Sequence, residues 1–174
     1  MSAVTLAQLL AILPNARARA AAFLAPLNAA MLEFDITTPA RAASFLSQVG
    51  HESGQLLYVR ELASGQAYES RADLGNTQRG DGVRFRGRGL LQVTGRTNYA
   101  ACGKALGLDL LAKPELLEQT VNACRSAGWF WQTKGLNALA DAGDQVKVTR
   151  RINGGTNGLA ERLALFAVAQ RVLA

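Results

Sequence analysis

Thr38-Pro39-Ala40-Arg41-Ala42-Ala43-Ser44-Phe45-Leu46-Ser47-Gln48-Val49-Gly50-His51-Glu52-Ser53-Gly54 is the clearest helical stretch of the chain. Thr38 suits the N-cap and Pro39 the first helical position, where its missing N–H costs nothing. Ala42, Phe45, Leu46 and Val49 then recur at i, i+3, i+4 and i+7, the spacing of one buried face. Gly54 is a natural stop. Near the end of this apolar helix stand His51 and Glu52. A carboxyl placed there is partly withdrawn from water, as a general acid is; a surface glutamate at a helix end is the plainer reading.

Working outward, residues 4–13 and 16–34 read as short helices broken near Pro14 and Pro26. From about 64 to 95 glycine recurs among polar turn residues, the pattern of loops and short strands. Within it, Arg84-Phe85-Arg86-Gly87-Arg88 alternates with period two, so a short strand would place three arginines on one side. Helical character returns at 97–106, closed by Gly107, and again at 114–133, 144–152 and 158–173. The order predicts an α+β domain, predominantly α-helical, with two helical lobes flanking a cleft beside a small irregular β region.

The 174 residues suffice for one domain with a core, and 49% hydrophobic with 18% charged residues excludes a disordered chain. No apolar run is long enough to span a bilayer. The N-terminal apolar residues precede Arg17 and Arg19, the reverse of a secretory signal. A net charge of +6 calls for an anionic partner: nucleic acid, a membrane surface or bacterial cell wall. Cys102 and Cys124 are too few for a disulfide framework and read as buried thiols. With one histidine and no CxxC, no metal site is expected and no cofactor is implied. His51-Glu52 opens an HExxH-like string, but Gln55-Leu56 follow and there is no second histidine, so the zinc-protease pattern fails.

Hydrolysis of a glycosidic bond typically takes two carboxyl groups, one to protonate the leaving oxygen and one to activate water or attack the sugar. The central candidates are Glu52, Glu61, Glu69, Asp73 and Asp81. On one continuous helix, the nine steps from Glu52 to Glu61 would set the side chains about 180° apart and about 13 Å along the axis. Such a pair cannot flank one bond. If both act, the helix must end near Ser53-Gly54 and the chain must turn back. The simpler role for Glu61 is an ion pair with Arg60 or another base, and for Glu69 an ion pair with an arginine.

Taken in order, Gly50-His51-Glu52-Ser53-Gly54, Gly87-Arg88-Gly89-Leu90-Leu91-Gln92-Val93-Thr94, Asn98-Tyr99, Ala127-Gly128-Trp129-Phe130-Trp131 and Ile152-Asn153-Gly154-Gly155 resemble glycoside hydrolase family 19. These are chitinase-like enzymes that include many phage endolysins. The resemblance runs from about residue 38 to 171. It implies a lysozyme-like fold, a single catalytic domain over 1–174 with 1–37 as a helical lead-in and no separate wall-binding domain, and an inverting mechanism. In that scheme Glu52 matches the acid and Glu61 the base, with Glu69 in reserve. Inverting pairs stand about 6.5–9.5 Å apart to admit the water. Thr94 matches the hydroxyl that holds this water. His51, Gln92, Asn98, Asn153 and Arg162 match substrate-binding positions, and Arg162 can also pair with a catalytic carboxylate. Trp129, Phe130 and Trp131 read as mainly structural.

The chain departs from the plant-type pattern in lacking disulfides and long loops, and Thr97 stands where those members carry a sugar-contacting aromatic. The compact form resembles a phage or prophage endolysin. That implies a muramidase acting on peptidoglycan glycan strands to lyse the cell, with a chitinase as the alternative. It also implies a monomer, made in the host cytoplasm without a signal peptide, acting at the cell wall and passed through the membrane by a holin. No specific nucleic acid is expected, since only Phe85 interleaves with the basic run. A catalytically dead wall-binding domain is disfavoured by the two glutamates.

Overall fold

The computed structural model of the chain describes residues 3–174, so the first two residues of the expected helical lead-in lie outside it. The order is α1 (Leu6–Ile12), α2 (Arg19–Glu33), α3 (Pro39–Glu52), α4 (Asp81–Arg84), α5 (Arg96–Leu106), α6 (Thr120–Thr133), α7 (Leu136–Asp141), α8 (Gln145–Asn153) and α9 (Leu159–Leu173). Short 3₁₀ turns lie at Pro14–Ala16, Gln66–Tyr68, Ala72–Leu74 and Pro114–Glu118. Among the described residues the β content is two isolated antiparallel bridges, Arg60 with Arg88 and Arg88 with Val93. The described residues are thus mostly helical around an irregular segment from 54 to 95, with almost no strand.

α1 begins with a capping box in which Thr5 and Gln8 satisfy each other's backbone N–H. Thr38 caps α3 by accepting from Arg41 N, with Pro39 at the first position, as the sequence predicts. α2 does not break at Pro26. A helix-interior proline costs about 3 kcal/mol. The face bearing Phe23, Leu27 and Met31 packs on α6, and burying each such side chain contributes about 1.5–3 kcal/mol, which outweighs that cost. The stretch from 114 to 133 divides into a 3₁₀ turn and α6, and α7 was not expected.

α3 has more than one buried face. Every residue from Ala42 to Gly50 is buried, because α7, α8 and α9 pack around it. Its polar residues are paired accordingly. Ser44 Oγ donates to Gln145 Oε1 at 2.9 Å, and Gln48 Nε2 donates to Thr149 Oγ1 at 3.4 Å, both on α8. Gly50 lets Leu13, after α1, and Leu165, on α9, pack closely on α3, since a Cβ there would lie 2.5 Å from Leu13 Cδ2 and 3.3 Å from Leu165 Cδ1. Behind α3, Phe45 meets Trp131 edge-on with ring centroids 5.3 Å apart, and Trp131 Nε1 donates to Asn137 Oδ1. Trp131 is therefore core. Cys102 and Cys124 are free and buried, and burial pushes the Cys102 thiol up to about 12 and Cys124 up further.

The expected strand at 84–88 is not there. Arg84 ends α4, Phe85 is buried against Tyr99, and the Arg84 and Arg88 side chains take different partners. Arg84 donates to the carbonyls of Leu111 and Ala112, while Arg88 is buried and pairs with Glu118 at 2.7 Å. Phe85 has to enter the core, and the short helix preceding it turns the backbone out of period two.

The irregular segment is anchored on α5 through Asp81, which is 1% exposed and accepts from Arg96 at 2.6 and 2.8 Å. The Arg96 hydrogen bonds hold the Asp81 carboxyl below its ordinary 3.8, against the opposing effect of burial. A carboxyl lowered in the folded state stabilises fully above its unfolded value and stops doing so as the pH falls through the folded value. Asp81→Asn is therefore expected to lower the melting temperature by about 5 °C at neutral pH. The gap to the wild type should narrow as melts are repeated toward about pH 2. A gap independent of pH would contradict the ion pair.

Candidate active site

Glu52 is the last residue of α3. The helix stops there because Ser53 diverts the ladder: its Oγ donates to Val49 O at 2.6 Å and accepts from Leu56 N at 2.8 Å. Gly54, Gln55 and Leu56 follow with φ of 56°, 55° and 68°. Three successive left-handed residues reverse the chain. For the two that are not glycine this costs about 1–2 kcal/mol each. Leu56 offsets it by being buried, and Gln55 by accepting from Asn15 N at 2.7 Å. The turn that a Glu52–Glu61 pairing requires is therefore present.

After the turn the chain runs extended against residues 87–89. Gly89 N donates to Val59 O and Glu61 N to Gly87 O, at 2.9 and 3.0 Å, while Arg88 exchanges both backbone hydrogen bonds with Val93. These rungs set Glu61, Gln92 and Thr94 side by side. Gly87 lies under them, and a Cβ there would collide with Gln92 Oε1 and crowd Thr94 Oγ1 at 3.3 Å. Gln92 itself has φ of 55°. Glu52, Glu61, Gln92 and Thr94, with Tyr58, Arg60, Leu62 and Tyr68, line one opening of about 310 Å³.

The two glutamates are held differently. Glu52 Oε1 accepts from Arg162 Nη2 at 2.5 Å, and among the described residues no donor reaches Oε2. Arg162, 2% exposed, also donates to Gln48 Oε1 at 2.5 Å and to Asn157 O at 3.2 Å, so the guanidinium is fixed behind Glu52. Glu61 Oε1 accepts from Gly87 N and Oε2 from Tyr68 Oη, each at 2.9 Å. Burial first, then the Glu61 carboxylate, push the Tyr68 phenol up, so it remains the donor. Each Glu61 oxygen keeps a lone pair for a further donor.

Other predicted positions lie elsewhere. His51 points to α9, where Nδ1 meets Glu161 Oε2 at 2.7 Å and the ring covers Gly158, so it joins two helices and does not line the opening. Asn153 closes its own loop, donating to Asn157 O and accepting from Gly155 N. Arg162 acts from behind Glu52. Asn98 donates to Thr94 O and faces an adjoining cavity that shares Gln92 and Thr94 with the opening. Thr97 packs on Gly75. Arg60 approaches Glu118 at 3.6 Å, so the ion pair considered for Glu61 is made by another acid. Sequence reading missed Tyr68, a lone tyrosine in a loop with no local signal that it would face Glu61.

Among the described residues Glu69 pairs with no arginine. It accepts from Gly80 N at 2.6 Å and Gly82 N at 2.9 Å, clamping the loop before α4 away from the opening. Glu69→Gln keeps one acceptor and is expected to cost about 1–2 kcal/mol of stability with the rate within about tenfold of wild type. A deficit approaching that of Glu61→Gln, in parallel initial-rate assays, would move the base to Glu69.

A helical fold that sets two carboxyls on one opening, with amide and hydroxyl groups beside them, has the equipment of a glycoside hydrolase. The chain matches the family described as Chitinase class I over residues 20–173, and it belongs to this family, glycoside hydrolase family 19. It is 35% identical over 156 residues to a glycosyl hydrolase family 19 domain-containing protein of Haemophilus influenzae, covering 71% of this chain and 76% of that one. It is 40% identical over 114 residues to an endochitinase of Arabidopsis thaliana, but these span 65% of this chain and 39% of the plant protein. Chitinase C of Streptomyces griseus superposes with a TM-score of 0.79 at 26% identity, over 98% of this chain and 92% of the other. The chain is thus an enzyme of the β-1,4-glycan-cleaving, chitinase-type class.

Proposed function

We propose that the enzyme is an endolysin-type muramidase, cleaving the β-1,4 bond between N-acetylmuramic acid and N-acetylglucosamine in peptidoglycan with inversion. The observation that carries the chemistry is the placing of Glu52 and Glu61 on one opening beside Gln92 and Thr94. Glu52 Oε2 passes its proton to the leaving oxygen as the C1–O bond breaks, and the Arg162 guanidinium contacts the carboxylate left behind. Glu61, oriented by Gly87 N and Tyr68 Oη, takes a proton from a water that Thr94 Oγ1 helps hold. That water's oxygen bonds to C1 from the opposite face. Gln92 presents an amide to the acetamido group of the sugar. Tyr58 and Leu62, 39% and 81% exposed, offer apolar surface to a sugar ring.

The net charge of +6 supports an anionic wall as substrate. Among the described residues no helix is long and apolar enough to cross a membrane. We further propose that a monomer, made in the cytoplasm, reaches the wall through a holin or similar partner. Mass spectrometry of digested sacculi tests the reading: the expected product carries N-acetylmuramic acid at its reducing end. N-acetylglucosamine there would replace the muramidase with a glucosaminidase.

A chitinase is the second reading, favoured by the endochitinase of Arabidopsis and chitinase C of Streptomyces among the relatives. Chito-oligosaccharides and sacculi assayed side by side separate the two, and efficient chitin cleavage without release of muropeptides would establish the second.

A further inference from the structure

Beside the opening lies a second cavity of about 210 Å³, more enclosed than the first and sharing Gln92 and Thr94 with it. Leu74, Val93, Ala101, Trp129 and Phe130 give it apolar walls, and Asn98 and Lys134 supply its other polar groups together with Thr133. We propose that this cavity receives the peptide stem carried by N-acetylmuramic acid and makes the enzyme prefer stem-bearing glycan. The inference rests on the muramidase reading and adds a specificity site to it.

Position, size and charge support this. Because Gln92 and Thr94 line both, a substituent of a sugar bound beside Glu61 can reach into the cavity. A chito-oligosaccharide offers only hydroxyl and acetamido groups. The muramic ring offers a 3-O-lactyl ether extended by alanine and then an acidic residue, an apolar stretch followed by a carboxylate. A water occupies about 30 Å³, so the cavity has room for roughly seven such groups, well beyond one acetyl methyl. Trp129 and Phe130 are half-buried, unlike Trp131, and so present ring surface to it. At the rim Lys134 is exposed, its Nζ 5.7 Å from the Phe130 ring centroid, and among the described residues it makes no salt bridge. No acidic residue lines the cavity, so a carboxylate entering it meets an unspent cation.

The test compares intact sacculi with sacculi stripped of stems by an N-acetylmuramoyl-alanine amidase, scoring reducing ends released per minute. Wild type is expected to cut intact sacculi about tenfold faster, equivalent to about 1.4 kcal/mol. Ala101→Phe, which fills the cavity, and Lys134→Glu, which reverses the rim charge, should bring that ratio toward one, with thermal melts confirming the fold. Independently of activity, N-acetylmuramoyl-L-alanyl-D-isoglutamine should perturb the Trp129 fluorescence of Glu52→Gln, and adding Lys134→Glu should weaken its binding about tenfold. Equal wild-type rates on the two glycans, or variants that leave the ratio and the fluorescence titration unchanged, overturn the stem site while leaving the muramidase in place. The cavity would then hold the acetamido group common to both sugars. Cleavage of neither glycan removes the muramidase reading and this inference with it.

Discussion

Glu52→Gln is expected to melt close to wild type and to cleave glycan about 10³-fold more slowly, the scale of a lost general acid. The fold survives because the amide oxygen still accepts from Arg162, whose other bonds, to Gln48 and Asn157, are untouched. Because the bond is kept and only one partner's charge is lost, the cost is about 1 kcal/mol, a few degrees in melting temperature. The acid role carries a sharper signature than the loss itself. A nitrophenyl glycoside, whose leaving group departs without a proton, should restore much of the rate. An equal deficit on natural and activated substrates would show that Glu52 is not the acid, and full activity on sacculi would remove it from the chemistry altogether.

Arg162→Ala should damage stability and rate together. The guanidinium is buried between α3 and α9 and serves Glu52, Gln48 and the Asn157 carbonyl at once. Removing one partner of a buried pair costs about 3–5 kcal/mol, because the acceptors left behind have lost their water and gain no substitute. For a domain of this size that is a fall of about 10 °C in melting temperature. Glu52 would also lose the contact that orients it, so the rate should fall at temperatures where the variant is still folded. Arg162→Lys keeps the charge but not the fork, so it should recover part of the stability and little of the rate. A melting temperature within about 2 °C of wild type for Arg162→Ala would show that the pair holds nothing.

Local rules account for much of the fold. Thr38-Pro39 caps α3, the apolar spacing of Ala42, Phe45, Leu46 and Val49 marks its buried side, and Gly107 ends α5, because each depends only on residues within a turn or two. Where neighbours far along the chain decide, local rules fail. Pro26 looks like a break but lies in a helix stabilised by packing on α6. Arg84 to Arg88 alternates like a strand, but burial of Phe85 on Tyr99 turns it into the end of a helix and a bend. Ser44 and Gln48 lie outside the apolar i, i+3, i+4, i+7 set, yet they are buried, because α8 brings Gln145 and Thr149 to meet them.

The site divides the same way. Sequence by itself determined that Glu52 ends an apolar helix, that a paired Glu61 demands a reversal after Ser53-Gly54, and that the ordered blocks belong with chitinase-like hydrolases. The first two statements need only helix geometry and spacing; the third rests on the resemblance of the ordered blocks to a known family. Tertiary structure alone decided that Glu69 clamps a loop, that His51 and Asn153 serve packing and turns, that Tyr68 reaches Glu61, and that Glu52 is the carboxylate with which Arg162 pairs across 110 residues. A carboxylate's role depends on which donors reach its oxygens. Those donors arrive through the folding back of 54–61 on 87–94 and the packing of α9 on α3, contacts for which a linear sequence carries no distance.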